Sequence, residues 1–296
     1  MSNYQIVDPR FNAKIISHAL VEKLWQGGRW LEGPAYFAAG RYLVFSDIPN
    51  NRLMRYDETN QAVSVFRQPS NNTNGNTVDE HGRLISCEHL TRRVTRTEHD
   101  GSISVIASHF DSKRLNSPND AICRADGSIW FTDPTYGIDS DYEGSKASSE
   151  IGASNVYRID RSGIINMIVK DRLRPNGLAI CPNNSRLYVS DTGASHQDGH
   201  PRAIHVYSLG SLVTPAGIFC ETSNGFFDGF RLDSEGCLWS SAGDSVHCYH
   251  PDGTLLGAVR IGETVSNVCF GGTNKNRLYI TAQTSLYSLF LNCSGA

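Results

Sequence analysis

Long apolar runs are missing from this sequence: nothing in it approaches the roughly 20 consecutive apolar residues that cross a bilayer. An excess of one charge sign is missing too. The 27 Lys and Arg stand against 30 Asp and Glu, a net charge of -3. That balance offers no electrostatic footprint for nucleic acid or for an anionic membrane surface, so neither is expected as a partner. Met1 to Arg10 lacks the apolar core of a secretion signal, and a cytosolic setting is expected. The eight cysteines form no CxxC pair, and none lies beside histidines at zinc-site spacing. Several sit in apolar runs, such as Ala121-Ile-Cys123 and Val268-Cys-Phe270, and read as small buried hydrophobes. No Gly-x-Ser-x-Gly elbow, P-loop or dinucleotide fingerprint occurs, so serine-hydrolase and nucleotide chemistry lack support. No long amphipathic helical pattern appears either, which disfavours an α/β barrel.

What the 296 residues do contain is a repeat. Each copy opens on Asn, Asp or Glu, continues through a short apolar run and a Gly- or Asn-bearing turn, and ends on a second apolar run. Copies begin at Glu32 (EGPAYFAAGRYLVFSD), Asn74 (NGNTVDEHGRLISCE), Asn119 (NDAICRADGSIWFTD), Asn176 (NGLAICPNNSRLYVSD), Asp228 (DGFRLDSEGCLWSS) and Asn267 (NVCFGGTNKNRLYITA). Four align without gaps, with Gly40, Gly82, Gly127 and Gly236 at the turn; in the other two the turn is longer. Two strands joined by a tight turn, followed by further strand and turn signals, make one four-stranded blade per copy. The pattern predicts an all-β chain, a six-bladed β-propeller forming one domain over residues 1–296. Insertions follow Asp133 and Asp191. After Asn267 only three strands fit, so the fourth strand of the last blade must come from the segment Ala19 to Trp25, which would close the ring.

In a propeller, equivalent repeat positions form a ring about the axis. Glu32, Asn74, Asn119, Asn176, Asp228 and Asn267 would occupy it, although such residues are poor strand formers. As turn formers they would be unremarkable, but Glu32 is no turn residue and six converging oxygen-bearing side chains suit a hard cation. Calcium fits such oxygen donors best. Magnesium and manganese stay open, and zinc, which prefers His or Cys, suits the ring least.

The same residues carry a resemblance. Trp30-Leu-Glu-Gly-Pro34, Cys87-Glu-His89, Leu115-Asn-Ser-Pro-Asn-Asp120, Trp130-Phe-Thr-Asp-Pro134, Pro175-Asn-Gly177 and Asp228-Gly229 resemble the SMP-30/gluconolactonase/LRE-like family, its bacterial gluconolactonase branch in particular. The resemblance implies a propeller with a central divalent metal bound by Glu32, Asn119, Asn176 and Asp228, and hydrolysis of aldonolactones such as D-glucono-1,5-lactone. Asp228 is the expected general base, with pure metal ligation as its other reading. Asn74, Asn116, His89 and Asp133 are expected around the substrate. Two alternatives keep the site: hydrolysis of organophosphates or other lactones, and a non-catalytic ligand-binding propeller. His196 and His200, in the insertion after Asp191, read as exposed loop residues. The insertion from Tyr136 to Ser154 reads either as a flap over the site or as plain surface.

Overall fold

The structure, a computed structural model, describes residues 3–296. Short strands buried along their whole length, such as Leu84–Glu88, Ile129–Asp133 and Leu238–Ala242, belong to sheets covered on both faces, and the chain builds six antiparallel sheets of this kind. Their innermost strands are Leu31–Phe37, Thr73–Val78, Ala121–Cys123, Pro175–Ile180, Phe230–Leu232 and Val265–Gly271. Each touches the next, and the last touches the first. The protein is therefore a six-bladed β-propeller, with each of the six polar heads in an inner strand or within two residues of its start.

The hairpin turns follow the repeat with one exception. Gly82, Gly127 and Gly236 take φ of +76°, +77° and +84°, where a side chain would be strained. In the first blade the left-handed position falls one residue later, on Arg41 at φ 49°, and Gly40 lies where an added Cβ would meet the ring of Tyr42 at 2.3 Å.

Apolar side chains fill the wedges between blades. Phe11, Trp239, Val268 and Leu278, all buried, join the fifth and sixth blades, and burying each is worth roughly 1.5–3 kcal/mol. Residues 3–26 clasp this same junction. Tyr4–Ile6 adds a fifth strand to the fifth blade by pairing with Leu255–Arg260. Phe11, in a 3-10 turn over Pro9–Ala13, packs on Gly257, where an added Cβ would lie 2.3 Å from its ring. Lys14 then reaches the buried Asp233 at 3.1 Å. Glu22–Gln26 pairs antiparallel with Ser285–Phe290 as the outer strand of the sixth blade.

Candidate functional site

The heads of the inner strands are held by their backbones, which frees their side chains. Ser46 Oγ donates to the Asn74 carbonyl at 2.6 Å, Thr132 Oγ1 to that of Asn176 at 2.7 Å, and Ser190 Oγ to that of Asp228 at 2.8 Å. Each hydroxyl belongs to the second strand of one blade and anchors the head of the next. Glycine after the head lets neighbouring blades approach closely. A Cβ on Gly177 would meet the Asp228 carbonyl at 2.2 Å, and one on Gly33 the Asn74 carbonyl at the same distance.

One cavity of about 470 Å³ gathers five of the six heads, Glu32, Asn74, Asn119, Asn176 and Asp228. Its volume is that of a small-molecule site. The sixth head, Asn267, stays behind Glu32: its Nδ2 donates to Glu32 Oε2 at 3.0 Å, and the missing Cβ of Gly229 makes its room. Gly33 N–H donates to the same Glu32 oxygen at 2.6 Å. Burial pushes the Glu32 carboxyl up to about 8 despite these donors. Burial, and then the charge of Glu32, push Asp228 well above the usual carboxylate range, while Asn176 hydrogen-bonds its side chain. A third acid, Asp120, is balanced by Arg231 at 3.2 Å. Glu32 and Asp228 are thus two buried acids without an ion-pair partner among the described residues. A divalent oxygen-seeking cation fits this donor set, since two carboxylates would match its charge and the amide oxygens of Asn119 and Asn176 would add neutral donors. No group of three or more His, Cys, Asp or Glu among the described residues offers another metal cluster.

The residues expected around the substrate divide. Asn74 lines the cavity, whereas His89, Asn116 and Asp133 are fully buried outside it. His89 stands behind Asn74. Its Nδ1–H donates to the Glu143 carbonyl at 3.2 Å, so Nε2 accepts from Asn74 Nδ2 at 3.3 Å and leaves Asn74 Oδ1 unengaged. Burial lowers the His89 pKa to about 4, which keeps the ring neutral and this tautomer in place. Asn116 ties the insertion down: its Nδ2 donates to the carbonyls of Asp133 and Ala153, and its Oδ1 accepts from Ser149. Asp133 accepts the N–H groups of Asn116 and Ser117, each at 2.9 Å. These two residues shape the loop that delivers Asn119 and do not line the cavity.

Side chains outside the repeat complete the wall, among them Trp30, Tyr136, Glu143, Ser195, His196 and Phe226. Both insertions contribute. Tyr136 opens a short helix, Tyr136–Asp139, and its hydroxyl bonds Thr192 at 2.6 Å. His196 meets the Tyr136 ring edge-on, with centroids 5.9 Å apart. His200 is no free loop residue, since its Nε2 reaches Asp191 at 3.0 Å. Proximity in sequence to Glu32 and Asp228 could have flagged Trp30 and Phe226. Glu143 and His196 carry no repeat signal at all.

A propeller whose axial cavity gathers acids and amides from separate blades is a site-bearing fold rather than a plain scaffold. Residues 30–284 match the family described as the SMP-30/Gluconolactonase/LRE-like region, and the chain belongs to that family. A gluconolactonase of Zymomonas mobilis is 30% identical, over 93% of this chain and 82% of its own length. A solved gluconolactonase from Xanthomonas campestris superposes with a TM-score of 0.91 at 35% identity, covering 97% of this chain and 94% of that one. A further solved structure assigned to the gluconolactonases gives a TM-score of 0.93 at 38% identity, with 99% of both chains covered.

Proposed function

We propose that this protein is a lactonase that opens small sugar lactones, D-glucono-1,5-lactone or a close aldonolactone first among them. One divalent cation, calcium foremost, would be held by Glu32, Asn119, Asn176 and Asp228. The observation that carries the proposal is the convergence of these four side chains, from four blades, on one cavity with two unbalanced acids. The likeness to gluconolactonases over nearly the whole chain supports the substrate class. The eight cysteines, all free thiols, suit a cytosolic setting.

A lactone resists water because its carbonyl is a modest electrophile and water a weak nucleophile. Held by Glu32, Asn119, Asn176 and Asp228, a divalent cation would supply Lewis acidity toward the carbonyl oxygen and stabilisation of the charge that develops there. Asp228, which lines the cavity, would accept on a carboxylate oxygen the proton of the attacking water. As the acyl carbon–ring oxygen bond breaks, the ring oxygen would take the proton that Asp228 accepted and leave as a hydroxyl, which returns Asp228 to its carboxylate. Asn74, its amide turned by His89, presents Oδ1 to the cation or to a substrate hydroxyl. Glu32 and Asn267 keep one another in place.

The test measures acid release from D-glucono-1,5-lactone before and after dialysis against a chelator, then after calcium is restored. We expect activity to fall at least a hundredfold and to return with calcium. Full activity in the chelated protein would overturn the assigned cation, and no activity with calcium present would overturn the lactonase.

A further inference from the structure

The cavity has acids in excess and no strong base: neither Lys nor Arg lines it. Arg174 stands behind Tyr136, its guanidinium 4.9 Å from the ring centre, and is committed to Asp139 at 2.6 Å. The acids can be set against their partners. Asp120 is balanced by Arg231, and Glu32 with Asp228 matches one divalent ion. Glu143 is left over. It lines the cavity from the insertion that follows Asp133, and its carboxylate receives no hydrogen bond from any described residue. The closest cationic candidate, His89 Nδ1 at 4.0 Å, already donates to the Glu143 carbonyl and is held neutral by burial.

Nor is Glu143 a dangling surface acid. Burial, and then Asp139, raise its carboxyl to about 7. Ser145 and Ala147 donate their N–H groups to the carbonyls of Gly137 and Ile138, each at 3.0 Å, and Lys146 N–H donates to Asp141 at 2.8 Å. Gly137 lies so close to His89 that an added Cβ would sit 2.5 Å from it. The segment carrying Glu143 is folded onto the propeller at fixed points. It therefore presents an unpaired acid to whatever enters, beside the rings of Trp30, Tyr136 and Phe226.

We infer that Glu143 is the specificity-determining residue of this site: it accepts hydrogen bonds from the hydroxyls of neutral polyol lactones and turns away lactones bearing an anionic group. The inference rests on the lactonase reading and names its substrate class. A hydroxyl donating to an unpaired carboxylate makes a hydrogen bond roughly twice as strong as one between neutral groups. A phosphate or sulfonate placed there meets a like charge at reduced screening, with no Lys or Arg in the wall to offset it.

The experiment compares kcat/KM for D-glucono-1,5-lactone and its 6-phosphate, at slightly alkaline pH with saturating calcium. Wild type is compared with Glu143→Gln and Glu143→Ala, whose melting temperatures are checked to keep the comparison to folded protein. Wild type should prefer the neutral lactone by on the order of a hundredfold. Both variants should shrink that preference at least tenfold, with KM for the neutral lactone rising more than kcat falls. A wild type that takes both lactones equally, or variants that keep the preference, would overturn the role of Glu143 and leave the lactonase standing. Variants that keep the preference but need more calcium would overturn it too, by making Glu143 a cation ligand. A wild type inert toward both lactones would sink the lactonase reading and this inference with it.

Discussion

Two sets of buried acids occupy this propeller, one at the heads of the inner strands and one at the tails of the second strands; three of the four tails are met by more donors than either head, while Asp133, with two, is still pushed up by burial to about 7. The tails are Asp47, Glu88, Asp133 and Asp191, all buried. Asp47 accepts from Arg29 N–H, Asn50 and Arg52. Glu88 accepts from Asn71, Thr91, Arg93 and Thr95. Asp191 accepts three backbone N–H groups, of Leu173, Arg174 and Gly193, and bonds His200. Although burial pushes its carboxyl up, these donors hold it below the ordinary value. The heads Glu32 and Asp228 have few donors and face each other, and burial carries both upward. The same residue type at two ends of one hairpin thus does two jobs. Saturated acids pin the loops that feed the inner strands, and unsaturated ones leave chemistry available.

The sharpest way to break this contrast is to neutralise one acid from each set. Asp228→Asn should lower kcat about a thousandfold or more, within the range of a lost general base, while the melting temperature of the cation-free protein holds or rises because Glu32 loses an acidic neighbour. Acid-release rates and calorimetry read both, and a Asp228→Asn protein that turns over normally would end the distinction. Asp191→Asn should do the reverse: a loss of about 3 kcal/mol in urea unfolding, from backbone donors left unsatisfied, with the folded fraction keeping its turnover.

Acid stability comes next. Burial holds His89 and His205 down at about 4, Arg172 adding to the effect at His205. The unfolded chain takes up a proton on each ring near pH 6.5 that the folded chain refuses until about pH 4. Stability should therefore be complete above 6.5 and decline as pH falls toward 4, by at most roughly 3 kcal/mol for each ring. Unfolding free energies at successive pH values check this, and His89→Gln should flatten the decline by its share; an unchanged slope would contradict the burial of that ring. The smallest effect belongs to Asn267→Ala, which removes one donor from Glu32 and should cost about tenfold in kcat/KM, in line with a single hydrogen bond to a charged group.

The head residues were legible in the sequence because a repeat reports equivalence, and equivalence in a closed ring means convergence. Glu22–Gln26 was legible for a related reason, as the count of strands left one place to fill. The tails are harder to read, and the sequence places Asp133, one of them, around the substrate. At Asp133 and Asp191 the donors are backbone N–H groups of loops, such as those of Asn116 and Ser117, and a loop's path is not written in its side chains. Glu143, Tyr136 and His196 lie on insertions that have no counterpart in the other blades, so no internal comparison could single them out. Phe11 and Tyr4–Ile6 escaped for want of periodicity, being one buried ring and three residues of edge strand.

The clasp at the fifth and sixth blades has a consequence for how the molecule comes into being. Asn292 Nδ2 reaches the carbonyl of Ala13 at 3.0 Å across 279 positions of sequence, and Glu22–Gln26 lies against Ser285–Phe290. Residues around 22 leave the ribosome long before their neighbours do, so the circle is sealed only after nearly all of the chain has been made, and pairing over such separations is slow. Until then Ser285–Phe290 offers a bare edge to other chains. Proteolysis or a bulky tag within the first strands would therefore strike assembly and solubility, while the catalytic groups on the remaining blades stayed chemically untouched.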